Sequence, residues 1–172
     1  YEEAAALIDE HHGVGHDVVI VSSSGLEVVE PIGELLGANH VIATRMAVEN
    51  GRFTGEIEYY AYGPAKAAAI AEVAAACGYD LEKSFAYSDS STDLPMLEAV
   101  GHPSVVNPDR ALRKEAVARD WPILDFSNPV PLRTRMGLGG ARTPAFAAGV
   151  LGACMAAAGL LWYARRRSRA EA

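Results

Sequence analysis

The sequence of 172 residues has only two cysteines, no excess of basic residues and no glycine-rich phosphate loop. Cys77 and Cys154 form no disulfide or metal-binding pattern, so we interpret both as packing residues, consistent with a reducing compartment. The lack of a basic excess argues against nucleic acid as a partner. The lack of a glycine-rich loop disfavours a nucleotide-binding domain. There is also no initiator methionine and no secretory signal, and the first residues already follow a helical pattern.

What the sequence does contain is a globular composition with an uneven distribution of charge. Half of the residues are apolar and 22% are charged, which excludes a chain that is disordered by composition. Residues 1–140 carry ten basic and twenty-one acidic side chains, a net charge of −11. Residues 141–172 carry five arginines and one glutamate, a net charge of +4. The length fits one domain with an appendage.

Short apolar strands alternate with helices up to about residue 126. Helices are predicted at 1–12, 26–36, 64–77, 94–100 and 109–120, and strands at 17–21, 41–44, 84–87, 103–107 and 122–124. Within 46–62, the Asn50-Gly51 pair predicts a hairpin turn. Alternating strands and helices with short connections predict an α/β domain, a doubly wound parallel sheet with helices on both faces.

The C-terminal part predicts a different environment. Residues 127–142 are interpreted as a linker, and residues 143–164 contain no charged side chain. This length can cross a membrane, with Trp162 and Tyr163 at the interface and a basic tail at 165–172. The alternative is an alanine-rich amphipathic or solvent-exposed helix. Arginines on both sides leave the orientation undecided. We predict membrane association through 143–164, with the α/β domain in the cytoplasm.

Two aspartates follow the predicted strand at 84–87 and precede the predicted helix at 94–100. Asp89 and Asp93 are therefore expected at the carboxyl end of a strand, where open α/β sheets hold their ligands. Grouped carboxylates suit Mg²⁺, which is bound by one or two carboxylates together with water and substrate phosphate. The alternative is a helix N-cap, because Ser, Thr and Asp are preferred where helices begin.

Two further segments carry groups suited to an anionic substrate. Ser22 and Ser23 follow the first predicted strand, and Gly25 would permit a tight turn into a helix N-terminus that binds phosphate through free N–H groups. Lys66 lies just inside a predicted helix, where a cation opposes the helix dipole unless it points at a bound anion or at carboxylates. Taken alone, each feature is also typical of an ordinary turn or a solvated lysine.

In their order and spacing these segments resemble the haloacid dehalogenase (HAD) superfamily of phosphohydrolases, especially the subfamily (IB) that includes phosphoserine phosphatase. Three runs carry the resemblance: Ile20-Val21-Ser22-Ser23-Ser24, Gly63-Pro64-Ala65-Lys66 and Tyr87-Ser88-Asp89-Ser90-Ser91-Thr92-Asp93-Leu94-Pro95-Met96-Leu97. They are similar to the second, third and fourth motifs of the family, and the similarity covers about residues 1–126. The resemblance implies a Rossmann-like HAD core, incomplete in this chain, and a Mg²⁺-dependent phosphomonoester hydrolase.

The resemblance also implies a role for each candidate residue. Ser22, with Ser23, would bind the phosphoryl group, and Lys66 would neutralise the charge of the phosphate and of the nucleophile. Asp89 would bind Mg²⁺, and Asp93 would support the metal shell or pair with Lys66. Ser22, Lys66 and Asp93 are thus the expected catalytic residues, and a small phosphorylated metabolite is the expected substrate.

Two departures from the family pattern bear on activity. The family nucleophile is an aspartate of a DxDx(T/V)-type motif on a strand N-terminal to these segments, and the chain contains no such motif. We therefore expect an N-terminally truncated sequence that is inactive by itself. Ser88 and Thr92 stand where phosphoserine phosphatases typically have Gly and Asn, which weakens phosphoserine as the substrate. The alternative function is a non-catalytic, membrane-anchored interaction module derived from such a core.

Overall fold

The computed structural model describes residues 1–129, which lie within one compact unit, Tyr1–Val130. Within these residues the helices are α1 (Glu2–Gly13), α2 (Leu26–Leu35), α3 (Pro64–Cys77), α4 (Leu94–Glu98) and α5 (Arg110–Ala118). The strands are β1 (Val19–Gly25), β2 (His40–Glu49), β3 (Arg52–Tyr59), β4 (Phe85–Ser88), β5 (His102–Val106) and β6 (Ile123–Leu124). Short 3-10 turns occur at Leu81–Lys83 and Ser91–Asp93. Helices and strands alternate, so the predicted α/β class is confirmed.

The strands form two three-stranded sheets rather than the single sheet that the alternation predicts. In the first sheet, β1 and β2 are parallel, with Ile20 opposite Val41, and β3 pairs antiparallel with β2. In the second sheet, β4, β5 and β6 are parallel, with Phe85 opposite His102. The sheets stay separate because no strand of residues 1–129 lies between β1 and β4.

Two strands of the first sheet are longer than their apolar patterns predict. β1 continues through the serine run to Gly25, which is opposite Thr44 in β2. Gly25, with φ −64° and ψ 143°, is the residue at which the strand passes directly into α2. The helix N-terminus predicted after the serine run is therefore present, reached through an extended residue. β2 extends to Glu49 and joins β3 through Asn50 and Gly51. Their φ angles of 51° and 73° are both positive, as a type I′ hairpin turn requires, and the predicted hairpin is confirmed.

Local signals account for the ends of α3 and α5. α3 is rich in alanine, the best helix former, with Pro64 in its first turn. It ends at Gly78, whose φ of 75° lies in the left-handed region common at helix ends. α5 begins after Asp109, whose side chain accepts a hydrogen bond from the Leu112 N–H at 2.7 Å. The Asp109 side chain therefore caps α5.

The core of the second sheet consists of small and branched apolar side chains from both sheet and helices. Its buried members are Ala86, Leu97, Val105, Leu112 and Ala116. The partly buried side chain of Trp121 packs against this cluster.

The structure tests the predicted role of Cys77 but not the predictions made for Cys154 and the C-terminal segments. Cys77 is exposed at the end of α3, with its sulfur 3.4 Å from His40 Nε2, so its predicted packing role is wrong. Cys154, the predicted helix at 143–164, the basic tail at 165–172 and nearly all of the linker at 127–142 lie outside the described residues. Within residues 1–129 no helix has the length and apolar character needed to cross a membrane.

Candidate active site

The loop after β4 is built by short polar side chains that satisfy its own backbone. Ser88 ends the strand, and its Oγ accepts a hydrogen bond from the Ser90 N–H at 3.2 Å. Ser90 Oγ in turn accepts from the Thr92 N–H at 3.3 Å, which caps the 3-10 turn Ser91–Asp93. Such side-chain bonds favour a turn over a continued strand. They direct the chain from β4 into α4 and leave the two aspartates at the carboxyl end of β4.

Asp93 is the buried centre of this loop, with 7% of its surface exposed. Its Oδ1 accepts a hydrogen bond from Lys66 Nζ at 2.7 Å, and its Oδ2 accepts one from Ser88 Oγ at 2.8 Å. Although Asp93 precedes α4, its side chain caps no N–H of that helix. The helix-cap interpretation of Asp93 is therefore wrong. The resemblance implies that Asp93 either supports the metal shell or pairs with Lys66. The structure shows the pair with Lys66.

Lys66 reaches Asp93 from the first turn of α3. Gly63, just before that helix, has φ 53° and ψ −127°, a conformation that favours glycine and redirects the chain into α3. The lysine is 6% exposed, and its ammonium group is neutralised by the aspartate. An unpaired charge would be costly at such a position. The prediction that Lys66 points at a carboxylate is confirmed.

Asp89 is the exposed carboxylate of the same loop. Its side chain makes no hydrogen bond or ion pair with residues 1–129, so both carboxylate oxygens can serve as ligands. Hard oxygens of this kind fit Mg²⁺, for which a protein typically supplies only part of the coordination shell. Asp93 is engaged by Lys66 and Ser88 and fits a supporting position. Residues 1–129 contain no cluster of three or more His, Cys, Asp or Glu side chains suited to hold a metal.

The serine run lies on a separate element, at the carboxyl end of β1. Ser22 is half-buried, and its Oγ accepts a hydrogen bond from the Ser24 N–H at 3.2 Å. Ser23 is exposed, but its carbonyl oxygen accepts a hydrogen bond from Thr44 Oγ1 at 2.8 Å. In the described part of the chain, no hydrogen bond joins Ser22 or Ser23 to Lys66 or the aspartates. The structure thus brings Lys66 and Asp93 together and leaves the serines as a separate group.

A cavity of about 980 Å³ separates the two sheets. Residues 19–21 of β1 line one side, all four residues of β4 line another, and Asp89 and Asp93 contribute polar groups to the lining. Among the described strands, β1 pairs only with β2, and β4 pairs only with β5. Each is therefore an edge strand whose outer backbone groups have no strand partner.

Three residues that organise the site had no role assigned to them from the sequence. Ser88 binds Asp93, Thr44 holds the carbonyl of Ser23, and Asp109 binds the loop through both its backbone and its side chain. The Asp109 N–H donates to the Asp89 carbonyl oxygen at 2.8 Å, and its Oδ2 accepts from the Ser91 N–H at 2.8 Å.

The bonds to Asp109 have an electrostatic consequence. The N–H groups of Leu112 and Ser91 lower the pKa of Asp109 below its usual value, because they stabilise the charged carboxylate. A helix-cap signal was visible at Asp109 in the sequence, but its second partner lies 18 residues away. No local sequence pattern indicated that Thr44 would hydrogen-bond the serine run.

Comparison with known proteins agrees with this geometry. Residues 1–98 match the family of haloacid dehalogenase-like hydrolases. The chain is 65% identical over 170 residues to the "Inhibition of morphological differentiation protein" of Streptomyces azureus, covering 97% of this chain and 61% of that protein. It is 58% identical over 167 residues to a Mycobacterium tuberculosis protein named as a probable phosphatase, covering 97% and 58%. The chain thus spans about 60% of the length of these relatives.

Among solved structures, a substrate-bound phosphoserine phosphatase is similar in fold. Its TM-score is 0.61 at 25% identity, over 78% of this chain and 61% of the phosphatase. The family match includes the serine run, Lys66, Asp89 and Asp93, and the similarity in fold extends beyond it. The expected resemblance is therefore confirmed, and the chain belongs to the haloacid dehalogenase-like hydrolase family.

Proposed function

We propose that the whole protein is a Mg²⁺-dependent phosphomonoester hydrolase that works through an aspartyl-phosphate. The buried Lys66–Asp93 pair beside the exposed carboxylate of Asp89 carries this proposal. Phosphoryl transfer is catalysed mainly by positioning and by electrostatic stabilisation, so a fixed cation and a free metal-binding carboxylate at one strand end suit it. Family membership and the relative named as a probable phosphatase support the same reaction.

We propose further that the nucleophile comes from an additional strand between β1 and β4. Both are edge strands, and the cavity between them is lined by their residues. One parallel strand there would pair with both edges and join the two sheets into one. An aspartate at its carboxyl end would lie near the loop of Asp89 and Asp93. The resemblance implies a strand with a DxDx(T/V)-type motif, which residues 1–172 do not contain.

In the proposed reaction, the aspartate carboxylate attacks phosphorus and the ester P–O bond breaks, releasing the alcohol, which takes up a proton. Water then attacks the aspartyl-phosphate, which releases inorganic phosphate and restores the carboxylate. Lys66 would stabilise negative charge on the phosphoryl group, and Ser22 would hydrogen-bond it. Asp89, supported by Asp93, would hold Mg²⁺, which supplies charge stabilisation to the phosphoryl oxygens when bound.

A small phosphorylated metabolite is the proposed substrate class. The similar solved structure is named as a substrate-bound phosphoserine phosphatase, and a 34% identical Neisseria meningitidis protein is named as a histidinol-phosphatase. Both substrates are small phosphate monoesters by name. This supports the reaction class and leaves the choice among such substrates to parts of the protein outside residues 1–129.

The test is hydrolysis of an aryl phosphate by the purified whole protein, with and without Mg²⁺. Asp89→Asn keeps the shape of the side chain and should lower the Mg²⁺-dependent rate by about 100-fold or more, because a ligand charge is lost. Asp120→Asn, an equivalent change in an exposed turn after α5, should leave the rate unchanged. Full activity of Asp89→Asn would remove Asp89 from the metal site. If the whole protein contains no DxDx(T/V)-type motif and hydrolyses no aryl phosphate, the alternative function as a non-catalytic interaction module is favoured.

A further inference from the structure

Thr44 is a buried hydroxyl in β2 that joins two segments of the candidate site. The residue is 5% exposed. Its Oγ1 donates a hydrogen bond to the Ser23 carbonyl oxygen at 2.8 Å and accepts one from the Ala61 N–H at 3.3 Å. Ala61 is fully buried, so its N–H has no access to water as an alternative partner. The hydroxyl therefore acts as donor to one segment and as acceptor from the other.

The two partners of Thr44 belong to two different functional segments. Ser23 lies in the serine run at the end of β1, next to Ser22. Ala61 lies in the connection between β3 and α3, two residues before Gly63, and the first turn of α3 carries Lys66. A single side chain thus connects the serine run with the entrance to the lysine helix. Ser23 and Ala61 are 21 and 17 residues from Thr44 in sequence, so local structure does not hold the two segments together.

A second contact holds the same connection from the other side. The Tyr59 hydroxyl donates a hydrogen bond to the Ala65 carbonyl oxygen at 3.0 Å, immediately before Lys66. Tyr59 is itself half-buried, and its ring lies 4.9 Å from the Arg45 guanidinium carbon. The path from β3 into α3 is therefore fixed at both ends, by Tyr59 near Ala65 and by Thr44 at Ala61.

We propose that Thr44 is a positioning residue that sets the serine run and Lys66 at the relative distance needed to contact one phosphoryl group. This inference rests on the function proposed above, in which Ser22 and Lys66 act on the same group. The buried Ala61 N–H costs free energy when it has no partner, and the same hydroxyl donates to the Ser23 carbonyl oxygen. The hydroxyl therefore favours the one arrangement of the two segments in which both bonds form. Valine has the shape of threonine but can form neither bond, whereas serine can form both.

The experiment compares Thr44→Val and Thr44→Ser in the whole protein, with aryl phosphate and Mg²⁺, below the unfolding temperature of every variant. Misplacement of one catalytic group by about 1 Å can cost about 100-fold in rate, so Thr44→Val should lower kcat by about 10- to 100-fold. Thr44→Ser should restore kcat to within about threefold of the original, because it keeps the hydroxyl. If Thr44→Val does not fold, Thr44→Cys with its weak S–H donor takes its place, and an intermediate kcat is expected.

Thr54 provides a matched control. Its Oγ1 also donates to a carbonyl, that of Ala47 at 3.3 Å, and accepts from an N–H, that of Glu56 at 3.2 Å, but in the exposed hairpin of β2 and β3. Thr54→Val should leave kcat unchanged. Full kcat in folded Thr44→Val, or a loss in Thr44→Ser equal to that in Thr44→Val, would overturn the proposal.

A separate measurement distinguishes failure of this inference from failure of the proposed function. Hydrogen exchange at the Ala61 amide reports the bond to Thr44 Oγ1 whether or not the protein hydrolyses phosphate esters. Exchange at Ala61 should be faster in Thr44→Val than in Thr44→Ser. If the unmodified whole protein is inactive, the proposed function fails, and unchanged exchange at Ala61 in Thr44→Val would overturn the positioning role as well.

Discussion

Lys66 Nζ lies 2.7 Å from Asp93 Oδ1, and the two side chains are 8% and 9% exposed. A buried ion pair of this kind is weak evidence for stability, since desolvation offsets much of the attraction. It does hold a cation at a defined place at the end of β4, in the same loop region as the exposed carboxylate of Asp89. The second oxygen of Asp93 is used as well, by Ser88 at 2.8 Å, so the orientation of the carboxylate is fixed from two sides.

Loss of the lysine should leave the aspartate buried and uncompensated. Lys66→Met should destabilise the fold by about 3–5 kcal/mol, measured by urea unfolding at pH 7. Adding Asp93→Asn should recover much of this loss, because the remaining charge is removed. The control is Lys83→Met, which breaks the 2.8 Å pair with Asp80 where the side chains are 83% and 49% exposed, and little change is expected. If Lys66→Met and Lys83→Met lower the unfolding free energy equally, burial of the Lys66–Asp93 pair does not cause the expected loss.

Asp109 should affect the proposed Mg²⁺ site through the loop and not as a ligand. Its side chain binds the Ser91 N–H, so Asp109→Ala should loosen the loop that carries Asp89. In the whole protein the Mg²⁺ concentration for half-maximal activity should rise by about tenfold, a typical effect of losing an outer-shell partner. Asp80→Ala is the control, because Asp80 caps another 3-10 turn through the Glu82 N–H. It should lower the unfolding temperature and leave the Mg²⁺ requirement unchanged. An equal shift in both variants would argue against the prediction.

Gly101 should tolerate no side chain. A Cβ atom there would overlap the Glu82 carbonyl oxygen, which is backbone and cannot rotate away. Gly101→Ala should destabilise the fold by about 1–3 kcal/mol through overpacking between the 3-10 turn Leu81–Lys83 and β5. Gly13→Ala is the matched control, because a methyl group at Gly13 would meet no atom within 4 Å and the residue ends a helix. Urea unfolding should show no loss of stability for Gly13→Ala. An unchanged unfolding free energy for Gly101→Ala would contradict the close approach of Gly101 to the Glu82 carbonyl oxygen.

The stability of the fold should rise with pH through the range in which His11 titrates. Burial, followed by the positive charges of His16 and His12, lowers the pKa of His11, and Glu10 partly opposes this. The unfolded chain therefore binds the proton more readily, and stability is lost as pH falls below the unfolded value of about 6.5. The His11 and His16 Nδ1 atoms are 2.9 Å apart, a bond that needs one ring nitrogen without a proton.

The measurement for His11 is the unfolding free energy between pH 5 and pH 8, compared with that of His11→Gln. Glutamine keeps a polar side chain but does not titrate in this range. The original protein should gain more stability than the variant as the pH rises. Parallel pH profiles of the two proteins would show that His11 makes no contribution.

Much of the fold follows from short-range patterns. The alternation of strands and helices, the hairpin at Asn50 and Gly51, and the cap at Asp109 each depend on residues within a few positions of one another. For the same reason Asp89 and Asp93 were correctly expected at the carboxyl end of a strand. The prediction that the Lys66 side chain points at an anionic group also came from a local pattern, because a cation in the first turn of a helix is unfavourable unless an anion faces it.

Other features depend on contacts between distant segments, and local patterns do not report them. β1 runs through the serine run because β2 continues beside it, with Gly25 opposite Thr44. Cys77 is exposed although its neighbours in α3 are mostly apolar, because the other segments of residues 1–129 leave that end of the helix exposed. The predicted single sheet is two sheets with an open cavity between β1 and β4, since pairing requires a strand that residues 1–129 do not supply.

The chemical groups of this protein and the elements that carry them follow from local patterns, because propensity, turn chemistry and motif spacing act over a few residues. How those groups are combined depends on the packing of distant segments. Lys66 pairs with Asp93 across 27 residues, and Thr44 joins Ser23 to Ala61. Such pairs form when burial removes water as the alternative partner, and burial is a property of the packed chain rather than of any one segment.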